Sequence, residues 1–136
     1  MARPIRTFID SGVLIAAFSG PLRLSELALQ ALEDTDRLFL TSPFVRLEVL
    51  PKAIFNKQAA EVRFYESFFA RAVAAGDFGS IFAMGERVAA EDGIGAMDSL
   101  HIAAAYLLDA DELITTERPG KSIYRTSLVK VVYLFR

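Results

Sequence analysis

Asp10, Glu48, Asp98 and Glu117 are the residues of this sequence best placed to do chemistry. Asp10 closes the strand-forming run Ile5 to Ile9 just before the apolar stretch Val13 to Phe18, and Glu48 stands on the helix that Ser42-Pro43 opens. Asp98 lies in the first turn of a segment rich in Ala and Leu, and Glu117 follows the strand-like Glu112-Leu113-Ile114-Thr115-Thr116. Taken singly, each acid has an ordinary structural explanation. Asp10 reads as a helix cap, Asp98 as a first-turn acid favoured by the helix dipole, Glu48 as a solvated surface charge and Glu117 as a loop charge. Taken together they are expected to converge, because the strand ends of a parallel sheet lie along one edge, where ligands bind. Converging carboxylates repel one another and call for a cation. Oxygen donors alone select a hard ion, Mg²⁺ or Mn²⁺, and the economical chemistry is attack of metal-activated water on a phosphodiester.

Composition narrows the alternatives. The absence of Cys removes thiol nucleophiles, disulfides, Fe-S clusters and thiolate zinc sites, and a single His makes an imidazole-based metal centre improbable. With 15 Lys and Arg against 17 Asp and Glu, the net charge of -2 gives no global positive field, so any nucleic-acid contact must come from a local patch. The 53% hydrophobic content excludes disorder, and the longest apolar stretches fall well short of the roughly 18 residues that span a bilayer. No secretory signal is legible at Met1-Ala2-Arg3-Pro4, so a soluble, cytoplasmic protein with no membrane association is expected. A mean hydropathy of +0.33 is high for a small soluble domain and points to apolar surface covered by another chain, as a homodimer or with a stable partner. The length of 136 residues suits one domain, 1–136, with one core.

The elements that must position the acids follow from local pattern. Strand runs are expected at Ile5 to Ile9, Arg37 to Thr41, Glu112 to Thr116 and Leu128 to Phe135, with a further short one at Phe78 to Phe82. Helices are expected from Gly12 to the Gly20-Pro21 stop, from Leu22 to Leu32, and from Pro43 to about Leu50, where Pro51 kinks or ends the third. Asn56 to Ala75, one or two turns over Gly85 to Glu91, and Ala96 to Leu108 complete the helical set. Strands alternating with helices imply crossover connections, hence a three-layer α/β/α sandwich with a mainly parallel central sheet.

Four segments carry a resemblance to the PIN-domain nucleases, and within them to the VapC-type toxins of toxin-antitoxin pairs. They are Thr7 to Ser11, Ser42 to Val49, Ala96 to Ala105 and Leu113 to Glu117, in the family's order. The resemblance implies an Mg²⁺- or Mn²⁺-dependent ribonuclease whose first three site acids are Asp10, Glu48 and Asp98, with Glu117 fourth. It implies supporting hydroxyls at Ser11 and Thr115, an RNA substrate, and inhibition by an antitoxin protein. Two positions depart from the pattern. Gly12 stands where a small polar residue is usual, which removes one possible water or metal contact, and Glu117 replaces Asp.

Other features have competing readings. His101 follows Asp98 by three residues on the same helix face and reads as a packed or hydrogen-bonded helix residue in preference to half of a catalytic pair. The stripe Phe64, Tyr65, Phe68, Phe69 reads as core or partner groove in preference to a base-stacking platform. Arg118, Lys121 and Arg125 fit equally as phosphate-steering cations or as a solvated loop. Two other functions stay open at this point. A haloacid-dehalogenase-type phosphatase also has an aspartate after its first strand, with Lys121 as its phosphate lysine, but Gly12 occupies the place of its second acid. A non-catalytic scaffold of the same fold, binding RNA or protein, is equally compatible with the acids.

Overall fold

A computed structural model describes residues 3–135. Its elements run β1 (Ile5–Ile9), α1 (Ser11–Ser19), α2 (Leu22–Leu32), β2 (Arg37–Thr41), α3 (Pro43–Phe55), α4 (Ala59–Arg71), β3 (Val73–Ala74), α5 (Phe78–Asp92), α6 (Ala96–Leu107), β4 (Glu112–Thr115) and β5 (Lys130–Tyr133). A 3-10 turn covers Ser122–Arg125. The strands form one sheet in the order β3-β2-β1-β4-β5, and every pairing is parallel. The result is the expected α/β/α architecture, with β1 at its centre.

The sheet is central because its strands end in apolar runs. Phe8 and Ile9 of β1, Leu40 of β2 and Leu113 of β4 are fully buried, and Ala103, Ala104 and Ala105 bring α6 close to them. Helix α1 packs against α2, α3 and α4, while α5 and α6 pack on each other. The aromatic stripe of α4 serves this core: Tyr65 and Phe68 are buried, and Phe68 meets Phe39 of β2 at 6.0 Å between ring centroids. Removing such side chains from water is the main favourable term in folding.

Several expected boundaries move. Phe78 to Phe82 is no strand but the first turn and a half of α5, and the turns over Gly85 to Glu91 continue the same helix. Asp77 caps it, its carboxylate accepting the Ser80 backbone N-H at 3.1 Å and the Ser80 hydroxyl at 2.7 Å. Gly85 suits this helix because a Cβ there would lie 3.0 Å from Leu100 Cδ2, so the missing side chain lets α5 approach α6. The strand of this region is instead Val73–Ala74, which lies within the helical pattern of Asn56 to Ala75. It pairs with Leu40 and Thr41, and the preceding helix is confined to Ala59–Arg71. Helix α3 continues through Pro51 to Phe55. Pro51 and Leu47, whose carbonyl loses its helical donor, both lie on the exposed face, so water replaces the missing bond. The last strand is shorter than expected, at Lys130–Tyr133.

Candidate functional site

Parallel pairing places the C-terminal ends of β1, β2 and β4 side by side, and the candidate residues gather there. Asp10 is the N-cap of α1 and is 7% exposed. Its Oδ1 accepts the Ser11 backbone N-H at 2.9 Å, and its Oδ2 accepts the Thr115 hydroxyl at 2.7 Å. Its own N-H donates to the Ile114 carbonyl at 3.0 Å, tying it to β4. The Thr115 hydroxyl is used twice, since it also accepts the Glu117 N-H at 3.1 Å. One buried threonine thus links the first acid to the backbone of the fourth.

Glu48 reaches the same edge from α3. That helix starts where it does because Ser42 is a buried N-cap accepting from the N-H groups of Phe44 and Val45, with Pro43 at the first position. The Ser11 hydroxyl donates to Glu48 Oε1, and His101 Nε2 lies 2.5 Å from the same oxygen and 3.9 Å from Asp10 Oδ1. His101 is 1% exposed, so the sequence reading of a packed, hydrogen-bonded residue describes its burial but does not reach its partner. The signal is present in its spacing from Asp98, which puts both on the pocket side of α6. Ligand atoms of Asp10, Glu48 and His101 all lie within 4.8 Å of one another.

Asp98, in the first turn of α6, is not one of those three but feels the charges of Asp10, His101, Glu117 and Glu48. Burial raises its pKa, the charge of Asp10 raises it further, His101 partly offsets this, and Glu117 and Glu48 add to the repulsion. Glu48 moves the other way: the hydrogen bond from His101 lowers its pKa, burial opposes, and Ser11 assists. For His101 burial favours the neutral form, but the Glu48 bond and the charges of Asp10, Glu48 and Asp98 together raise its pKa. A site where burial and then neighbouring charge make one acid hard to ionise is electrostatically suited to a small divalent cation, and its carboxylate oxygens are the donors such an ion takes.

The remaining candidates lie at the rim. Glu117, Arg118 and Lys121 are exposed on the segment after β4. Arg125, by contrast, donates to the carbonyls of Asp92 and Gly93 at 3.4 and 3.1 Å, so it caps the end of α5. Gly12 has a specific neighbour: a Cβ at this position would lie 2.2 Å from the Thr116 hydroxyl oxygen. The polar group absent from position 12 is therefore matched by a hydroxyl from β4's end that occupies the adjoining space.

A model of the PIN domain matches residues 7–119. Among solved structures, the fold is similar to a toxin-antitoxin complex from Klebsiella pneumoniae, with 22% identity, a TM-score of 0.74, and coverage of 95% of this chain and 98% of that one. VapBC-1 from nontypeable Haemophilus influenzae aligns at 17% identity and a TM-score of 0.70, covering 97% and 100%. VapBC2 from Rickettsia felis, bound to a DNA fragment from its promoter, aligns at 14% identity and the same TM-score of 0.70, covering 95% and 98%. Nothing among curated protein sequences matches the chain.

Two measurements follow from this geometry. For an acid whose folded pKa lies above the ordinary 3.8, the folded state holds the proton longer, and stability falls as pH rises through the interval between the two values. Without divalent ions at pH 7, Asp98→Asn is therefore expected to raise the melting temperature by a few degrees, a modest effect because the group is only half-buried. An unchanged or lower value would mean that no repulsion is relieved. At the other contact, Gly12→Ala is expected to cost about 1–2 kcal/mol through overpacking against Thr116. Most of that loss should disappear in Gly12→Ala combined with Thr116→Ala, and simple additivity in denaturant titrations would contradict the contact.

Proposed function

The chain belongs to the PIN domain family, and on that basis we propose that it is an Mg²⁺- or Mn²⁺-dependent ribonuclease, the toxin of a toxin-antitoxin pair. The observation that carries this reading is the meeting of Asp10 and Glu48 at the C-terminal edge of the sheet, with Asp98 near enough that their charges add to its burial in opposing its ionisation. That is a pocket short of positive charge. When bound, a divalent ion supplies the missing charge, acidifies a water and neutralises the phosphate oxygens.

The protein's own groups have distinct roles. Asp10, Glu48 and Asp98 would hold the ion, and Ser11 and Thr115 fix the carboxylates of Glu48 and Asp10 by donating to them. Glu117 is the fourth acid, exposed at the rim, from where its longer carboxylate would assist a bound ion. Arg118 and Lys121, exposed on the same segment, draw the RNA backbone toward the acids. An RNA phosphodiester is therefore presented to a rigid acidic pocket by a short cationic rim.

The partner reading rests on two supports. The similar solved structures include toxin-antitoxin complexes, and large apolar side chains stand in water on this chain, Phe55 at 84% and Leu22 at 77% exposure. An antitoxin, a second copy of the chain, or both would cover such surface. No described helix is long and apolar enough to cross a membrane, and a cytoplasmic location fits an RNA target.

Cleavage of single-stranded RNA with Mn²⁺, and its loss on chelation, tests the activity. Asp10→Asn and Asp98→Asn should each lower the rate by roughly a hundredfold or more while leaving the circular dichroism spectrum intact. Retained cleavage in either variant would sink the site assignment. Chelator-resistant cleavage would remove the metal.

A further inference from the structure

Glu48 receives two donors on one oxygen. Both the Ser11 hydroxyl and His101 Nε2 reach Oε1, and Oε2 has no donor among the described hydrogen bonds. A carboxylate so loaded has one oxygen committed to the protein and one left for solvent or a ligand. Ser11 comes from α1 and His101 from α6, so Glu48 of α3 is gripped from two other elements.

The proton on His101 can be placed by the same accounting. Nδ1 is buried and has no partner among the described residues. A proton there would strand an N-H donor in the core and turn the Nε2 lone pair toward a carboxylate only 2.5 Å away. A proton on Nε2 instead makes a charge-assisted bond to Glu48. The spacing also argues against one ion taking both Nε2 and Oε1 as they stand. A Mg²⁺ at 2.0–2.1 Å from each ligand keeps adjacent octahedral ligands about 3 Å apart, wider than the separation between Nε2 and Oε1.

We propose that His101 is a positioning residue for Glu48, holding Oε1 through Nε2-H so that Oε2 alone faces the ion, and is not itself a ligand. The inference rests on the reading that Asp10, Glu48 and Asp98 hold a divalent cation. Glu48 needs such help, since its side chain is 34% exposed and without these donors would swing into water. The imidazole ring is itself held firmly, being 1% exposed and 6.1 Å from the Phe8 ring between centroids. Keeping the imidazole out of the coordination sphere leaves an oxygen-only site, which favours Mg²⁺ and Mn²⁺ over the transition metals that prefer nitrogen.

The test is Mn²⁺ binding followed by calorimetry and pulsed electron paramagnetic resonance, on the whole chain without RNA. His101→Leu should bind Mn²⁺ roughly 10–100-fold more weakly than wild type. His101→Gln, which restores an N-H donor near the Nε2 position, should recover most of that loss. Mn²⁺ bound to the wild-type protein should show no coupling to a directly coordinated ¹⁴N. Nitrogen coupling that vanishes in His101→Gln would overturn the proposal in favour of ligation, and this spectrum decides the question even if His101→Leu fails to fold. Unchanged affinity in a folded His101→Leu would overturn it too, as would no recovery in a folded His101→Gln. If wild type binds no Mn²⁺ at all, both the positioning role and the acid site fail, an outcome distinct from tight binding without dependence on His101.

Discussion

Repulsion among carboxylates at the C-terminal edge of the sheet is the constraint on which the rest of this structure turns. Like charges this close are held together only if the scaffold is rigid and each acid is given donors. Parallel order β2-β1-β4 supplies the rigidity. It sets Asp10 at the end of the central strand, beside Thr115 of β4, and it sets Ser42 at the end of β2, from which α3 carries Glu48 back over the edge. The donors are then drawn from every neighbouring element: Ser11 from α1, His101 from α6, Thr115 from β4. Asp98 and Glu117 are the acids for which no such donor is described, and Asp98 is the one whose ionisation is raised in cost, by burial first and then by the charge of Asp10.

The same edge shows how a lost side chain is accommodated. Gly12 leaves space at the start of α1, and the Thr116 hydroxyl lies in it. Thr115 and Thr116 therefore do different jobs despite being adjacent: the first faces Asp10, the second backs onto the helix start. Thr115 is the last residue of β4, and Thr116 lies just past it, where the chain has left the strand.

Much of this is legible in the sequence. Three acids can be placed because each sits at a junction with strong local signals: a strand running into a cap at Asp10, Ser42-Pro43 before Glu48, and an Ala-rich helix start before Asp98. The parallel sheet follows from alternation of strand and helix. His101 is harder, since its partner Glu48 is 53 residues away and nothing local marks a tertiary hydrogen bond. Phe78 to Phe82 misleads because an alternation of aromatic and small residues mimics a strand, and the sign against it is Asp77 with Ser80 three residues on, a helix cap. Val73–Ala74 is too short to have a period of its own and becomes a strand through its pairing with β2. Pro51 looks like a helix end because the exposure of its helix face, which makes the lost hydrogen bond tolerable, is a tertiary property.

The central claim is that these carboxylates form one cation site, with Glu48 presenting a single oxygen. A crystal soaked in Mn²⁺ and measured for anomalous scattering addresses it directly. The expected result is a peak bounded by Asp10, Asp98 and Glu48 Oε2, with His101 still bonded to Oε1. Saturating Mn²⁺ with no peak among these carboxylates would contradict it.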